Sequence, residues 1–120
     1  MATTVLFQTP QGGQTFTGIG TTADKVVTPS NGVDISNVLN MRILFRAPSA
    51  RGLTFTVSIA AVATGTNSDV QFVLDTVTVP AGSLVTRTYS AVVARTLRVV
   101  VRLSSGSVTN AAATCIVMAN

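Results

Sequence analysis

Histidine, tryptophan and glutamate are missing altogether from the 120 residues, cysteine occurs once, and charged residues make up only 10% of the chain. Each absence excludes something. General acid-base chemistry at neutral pH draws on His or on carboxylates paired so that their environments separate them. Here the only acids are Asp24, Asp34, Asp69 and Asp75, scattered along the chain. A hydrolase triad of the usual form is excluded, and the chain is expected not to be an enzyme. Zinc and iron centres need clustered His or Cys, which a lone Cys115 cannot supply. Calcium needs several oxygen ligands, and the best loop, GTNSD at 65–69, offers the single carboxylate of Asp69, so it reads as a polar turn. The glycine runs Gly12-Gly13 and Gly18-Ile19-Gly20 lack the Lys and helix of a phosphate loop and read as turns or hinges. No metal and no cofactor are expected.

Other absences concern location. No apolar run approaches the ~18 residues that span a bilayer. The opening MATTVLFQTPQGGQ has neither the basic stretch nor the long apolar run of a secretory signal. A chain found outside the cell is therefore expected to get there without the usual leader, for example by lysis.

What is present is Val and Thr in abundance, with 47% apolar residues overall. β-branched side chains fit a pleated, half-buried surface, and helical proteins use Glu, Lys, Leu and Gln on their exposed faces instead. The class is all-β. Two-residue alternation recurs between Gly, Pro, Asn and Ser clusters. In MRILFRA, Met41, Ile43 and Phe45 face one way and Arg42, Leu44 and Arg46 the other; in LTFTVSIAAV, Leu53, Phe55, Val57, Ile59 and Ala61 alternate with Thr54, Thr56, Ser58 and Ala60. The turn APSARG at 47–52 is expected to join these two as adjacent antiparallel strands. FVLDTVTV, the Pro80-Ala81-Gly82 turn and LVTRTYSAV read as a second such pair. TLRVVVRL sets Leu97, Val99, Val101 and Leu103 against Arg98, Val100 and Arg102, and AAATCIVMA reads as a strand covered on both faces. Eight or nine strands at this spacing signal an antiparallel sandwich or barrel, with an N-terminal extension. The division expected is an N-terminal arm over 1–20 and the main β domain over 21–120.

The net charge is +4, carried by seven Arg and Lys25. Arg42 with Arg46, and Arg98 with Arg102, share strand faces. If their strands are neighbours, they form one outward basic stripe, a polar subunit contact or a contact for a polyanion. Nucleic acid is not expected, because Tyr89 and five Phe, two of them assigned to the core as Phe45 and Phe55, leave no stacking platform. Cys115 sits mid-strand and reads as a buried thiol, with an intermolecular disulfide as the alternative.

The stretches VDISNVLNMRILFRAPSARGLTFTVSI at 33–59 and LDTVTVPAGSLVTRTYSAVVARTLRVVV at 74–101 resemble small bacterial jelly rolls with an Asp-Ile-Ser entry and a TVPAGS turn. In size, composition and start, the chain most resembles the subunits of endospore appendages. That resemblance implies an antiparallel jelly-roll β-sandwich of eight or nine strands over 21–120 that polymerises into a fibre, with residues 1–20 as an N-terminal connector strand docking onto earlier subunits. The family's connector carries cysteines that crosslink to a last-strand Cys. Cys115 matches that last-strand position, but residues 1–20 contain no Cys, so the covalent lock is absent.

The expected partner is a copy of the chain itself, in a homopolymer outside the cell or on a cell or spore surface. The connector residues are Val5, Leu6 and Phe7, leaving their own domain across Gly12 and Gly13 to add a strand to a neighbour. The alternatives are a phage virion decoration or fibre protein and a small adhesion or binding module.

Overall fold

The structure, a computed structural model, describes residues 4–29, 31–50, 52–63, 71–90 and 94–119. The GTNSD loop with Asp69 lies outside the described residues. Ten strands are present among those described: β1 (Thr4–Gln8), β2 (Gln14–Ile19), β3 (Lys25–Val26), β4 (Val33–Asp34), β5 (Asn40–Arg46), β6 (Thr54–Ala63), β7 (Gln71–Pro80), β8 (Leu84–Ser90), β9 (Ala94–Leu103) and β10 (Val108–Ala119).

They form two antiparallel sheets. One runs β1-β10-β5-β8, with β2 also on β10; the other runs β3-β9-β6-β7, with β4 also on β9. The pairing is nested. β6 pairs β7, β5 pairs β8, β3 and β4 pair β9, and β1 and β2 pair β10. A long hairpin wound on itself in this way is a jelly roll.

Two local expectations are corrected by this nesting. β5 and β6 lie in different sheets, so the connection between them joins two layers rather than closing a hairpin. β7 and β8 likewise belong to different sheets, and the turn after Pro80 is a corner between them. Its backbone is anchored to the other crossing, with Ala81 N–H on Leu53 O, Gly82 N–H on Pro48 O and Ala47 N–H on Ser83 O, each at 3.0 Å.

The alternation does place the core. Met41, Ile43, Phe45, Phe55, Val57, Ile59, Ala61, Leu97, Val99, Val101 and Leu103 are all buried between the sheets. Each large aliphatic or aromatic side chain so buried contributes about 1.5–3 kcal/mol. β10 differs from expectation. Its edges are both paired, yet only Ala111, Ala113, Cys115 and Val117 are buried, whereas Thr114, Ile116 and Met118 are half-buried on the outer face.

Candidate assembly site at the broken edge strands

One side of the sandwich ends in β7 and β8, continuous strands with one unpaired edge each. The other side ends in two interrupted strands. β1 pairs residues 116–119 of β10 and β2 pairs residues 108–113 of the same edge. In the second sheet β3 pairs Val100 and Val101 of β9, and β4 pairs Thr96 and Leu97.

Both interruptions are spelled alike, Thr9-Pro10-Gln11-Gly12-Gly13 and Thr28-Pro29-Ser30-Asn31-Gly32. Proline cannot donate to the ladder, so pairing stops there. The threonine before it supplies the missing rung. Cys115 N–H donates to Thr9 Oγ1 at 3.1 Å while Thr9 N–H donates to Cys115 O at 3.0 Å. On the other sheet, Val99 N–H donates to Thr28 Oγ1 at 3.2 Å and Val27 N–H donates to Val99 O at 2.8 Å. Among the described residues, Thr9 and Thr28 are the buried polar side chains.

The chain then turns, with Gly13 N–H on Pro10 O and Gly32 N–H on Pro29 O, both at 2.8 Å. The closing glycine lies against the partner strand at positive φ. A Cβ on Gly13 would meet Ala113 O at 2.8 Å, and one on Gly32 would meet Thr96 Cβ at 3.0 Å. This twofold motif is a site that the sequence reading missed, although the repeated Thr-Pro-x-x-Gly spelling was there to find it.

The proposed connector residues sit on β1. Val5 pairs Met118 and Phe7 pairs Val117, with a register shift between Val5 and Phe7 that spans Leu6. Leu6 and Phe7 are half-buried against the core and the remaining β1 residues are exposed. In the single chain, then, residues 4–8 and 14–19 are strands of the first sheet. Gly12 and Gly13, at φ 88° and 93°, stand between them.

Cys115 lies directly behind Thr9, fully buried in the core. Burial pushes its thiol up to about 12, which suppresses the thiolate at neutral pH. The four arginines are brought together only in pairs. Arg42 and Arg46 lie on the outer face of β5 in the first sheet, and Arg98 and Arg102 on that of β9 in the second, so the single basic stripe does not form. Arg102 is further engaged by Asp24 at 2.7 Å.

On the β7/β8 side, the open edges are bridged by side chains. Tyr89 Oη donates to Asp75 Oδ2 at 2.7 Å, and Arg87 Nε stands 3.8 Å from the same oxygen. Among the described residues, no three or more Cys, Asp or Glu side chains gather as a metal site would require, and no helix is long and apolar enough to cross a membrane.

Among solved structures the chain is similar to one from work in which "Bacillus endospore appendages form a novel family of disulfide-linked pili". The identity is 14%, the TM-score 0.48, and the match covers 98% of this chain and 88% of that one. No family model matches the chain, and no curated protein matches it.

Proposed function

We propose that the chain is a structural subunit that joins copies of itself into a filament outside the cell or on its surface, with β1 exchanged between subunits. The observation that carries this reading is the seat of β1. It is a five-residue edge strand that adds to β10 by main-chain pairing, buries only Leu6 and Phe7 in part, and is tethered through a glycine pair at positive φ. A neighbour's β1 can make every one of these contacts in the same seat, because the sequences are identical. Exchange then changes few contacts and is decided by hinge conformation and concentration, as in domain swapping. When each subunit donates to the next and the rotation does not close, the product is a filament.

Two cysteines report which chain fills the seat. Val5 and Met118 are cross-strand neighbours, close enough for a disulfide when both are replaced. A Val5→Cys, Met118→Cys variant in a Cys115→Ala background, oxidised after assembly, is expected to run as a covalent ladder on a denaturing gel. Filaments that dissolve into monomers would refute exchange. A chain that stays monomeric at high concentration, before any substitution, would refute assembly. Deleting residues 1–12 should abolish growth, and unchanged polymerisation would exclude the connector.

A further inference from the structure

The two outer faces of the sandwich differ in chemistry. Strand registers in the first sheet set out three rows on its outside: Val5, Met118, Arg42 and Thr88; Gln8, Ile116, Leu44 and Thr86; then Thr114, Arg46 and Leu84. An aliphatic band therefore runs diagonally from Val5 to Leu84, both 52% exposed, with Arg42 and Arg46 on either side of Leu44. Four residues apart along one strand, the two guanidinium groups start about 13 Å from each other. No carboxylate stands in these rows. The second sheet's outer face also carries two arginines, Arg98 and Arg102, but beside Thr56, Thr78, Ser58 and Thr76, and Asp24 engages Arg102.

The first face is also hollowed beside Arg46. A depression of about 260 Å³ is lined by Leu44, Leu84 and Ile116 with Arg46 and Thr114 at its margin. Arg46 and Thr114 also line a second cleft of about 350 Å³ with a mixed wall, reaching Ser49 and Asn110 on one hand and Pro48 and Val108 on the other. Arg46 and Thr114 stand where the apolar hollow meets this cleft.

We infer that this face docks on an anionic lipid bilayer, with phosphate headgroups at Arg42 and Arg46 and hydrocarbon over the Leu44, Leu84 and Ile116 hollow. The charges select the partner. Asp24 is bonded to Arg102, Asp34 to Ser36, and Asp75 to Tyr89, whereas Arg42 and Arg46 have no ion pair among the described residues. A second copy stacked face to face would set arginine against arginine and offer no carboxylate. Single-stranded nucleic acid would want aromatic side chains between the cations, and these rows contain none; a duplex offers phosphates but nothing to cover the aliphatic band. Guanidinium groups bind phosphate through paired N–H donors, and the aliphatic band suits the boundary between headgroup and acyl chain. The inference does not depend on the filament reading, since the face belongs chiefly to β5, β8 and β10.

Co-sedimentation with vesicles of phosphatidylcholine, with and without phosphatidylglycerol, tests it. Binding is expected only with phosphatidylglycerol, and Arg46→Gln should lower the partition coefficient about fivefold, from roughly 1 kcal/mol per basic residue at an anionic surface. Arg42→Gln should do the same and the pair together about 30-fold. Leu84→Thr should weaken binding without changing its salt dependence. Arg98→Gln, an equal charge change on the opposite face, should leave it unaltered. Equal losses from Arg46→Gln and Arg98→Gln would overturn the inference, as would binding that ignores phosphatidylglycerol. So would capture by dextran sulfate that matches the vesicles and is indifferent to Leu84→Thr, since that outcome identifies a polyanion site.

Discussion

Replacing Thr9 by Val tests whether a side chain really completes the first sheet. The two residues have nearly the same shape, so the core is neither emptied nor crowded. What is lost is the acceptor for Cys115 N–H, a 3.1 Å bond inside the protein, and a weaker return bond from the hydroxyl to Cys115 O at 3.4 Å. A buried donor left without a partner costs about 1–3 kcal/mol, and about 2 is the central expectation here. At this chain length that lowers Tm by roughly 6–10 °C. Thr9→Ser keeps the hydroxyl and gives up one methyl, worth about 0.8 kcal/mol, so it should fall between wild type and Thr9→Val. Thr28→Val removes the acceptor of Val99 N–H and should cost a similar amount. The two sites lie in different sheets and share no hydrogen-bond partner, so their effects should add. Urea denaturation gives the free energies, and amide exchange at Cys115 and Val99 gives the local protection. If both valine variants were as stable as wild type, with those two amides still protected, the hydroxyls would not be rungs of the ladder and the reasoning would fail.

Other expectations concern neighbouring features. Gly13→Ala should destabilise more than Gly12→Ala: both positions have positive φ, but only at Gly13 would the new Cβ strike backbone, while Gly12 faces open space. The comparison is made by thermal melting, with about 1 kcal/mol expected at Gly12 and at least twice that at Gly13. Tyr89 is the chain's single tyrosine, so its ionisation can be followed cleanly by ultraviolet absorbance. Burial, with the Asp75 carboxylate beside it, raises its pKa above the ordinary value near 10. The folded form thus holds its proton where the unfolded form has lost it, so this contribution to stability is full below about pH 10 and declines as pH rises further. Tyr89→Phe should flatten that decline. Cys115 should resist thiol reagents in the native protein and react fully in denaturant; rapid native labelling would contradict its burial.

Inward and outward positions were legible in the sequence wherever a strand had one buried face. Met41-Ile43-Phe45 and Leu97-Val99-Val101-Leu103 declare themselves by period alone. Strand partners were not legible. Every strand offers the same alternating pattern, and proximity along the chain favours hairpins, so β5 with β6 and β7 with β8 looked like pairs. In a wound hairpin only β6 and β7 follow each other and pair; the other partners come from distant segments. The same limit applies to the arginines. Their orientation on each strand could be read, but the sheet to which each strand belonged could not, and that decides whether four cations meet. Thr9 and Thr28 escaped notice for a different reason. A threonine before proline ordinarily marks a turn, and its burial depends on a gap in the facing ladder that only the pairing reveals.

β10 lies at the middle of its sheet, with β1 and β2 on one edge and β5 on the other. During synthesis this strand is made after all the partners it will hold together. Until it emerges, β1 and β2 have nowhere to pair, while β3, β4, β6, β7 and β9 already have every neighbour they need. The second sheet's partners are thus all present in the chain before the strand that seats β1 has been made. In the exchange proposed above, order of manufacture bears as much as affinity on which copy of β10 that strand first meets.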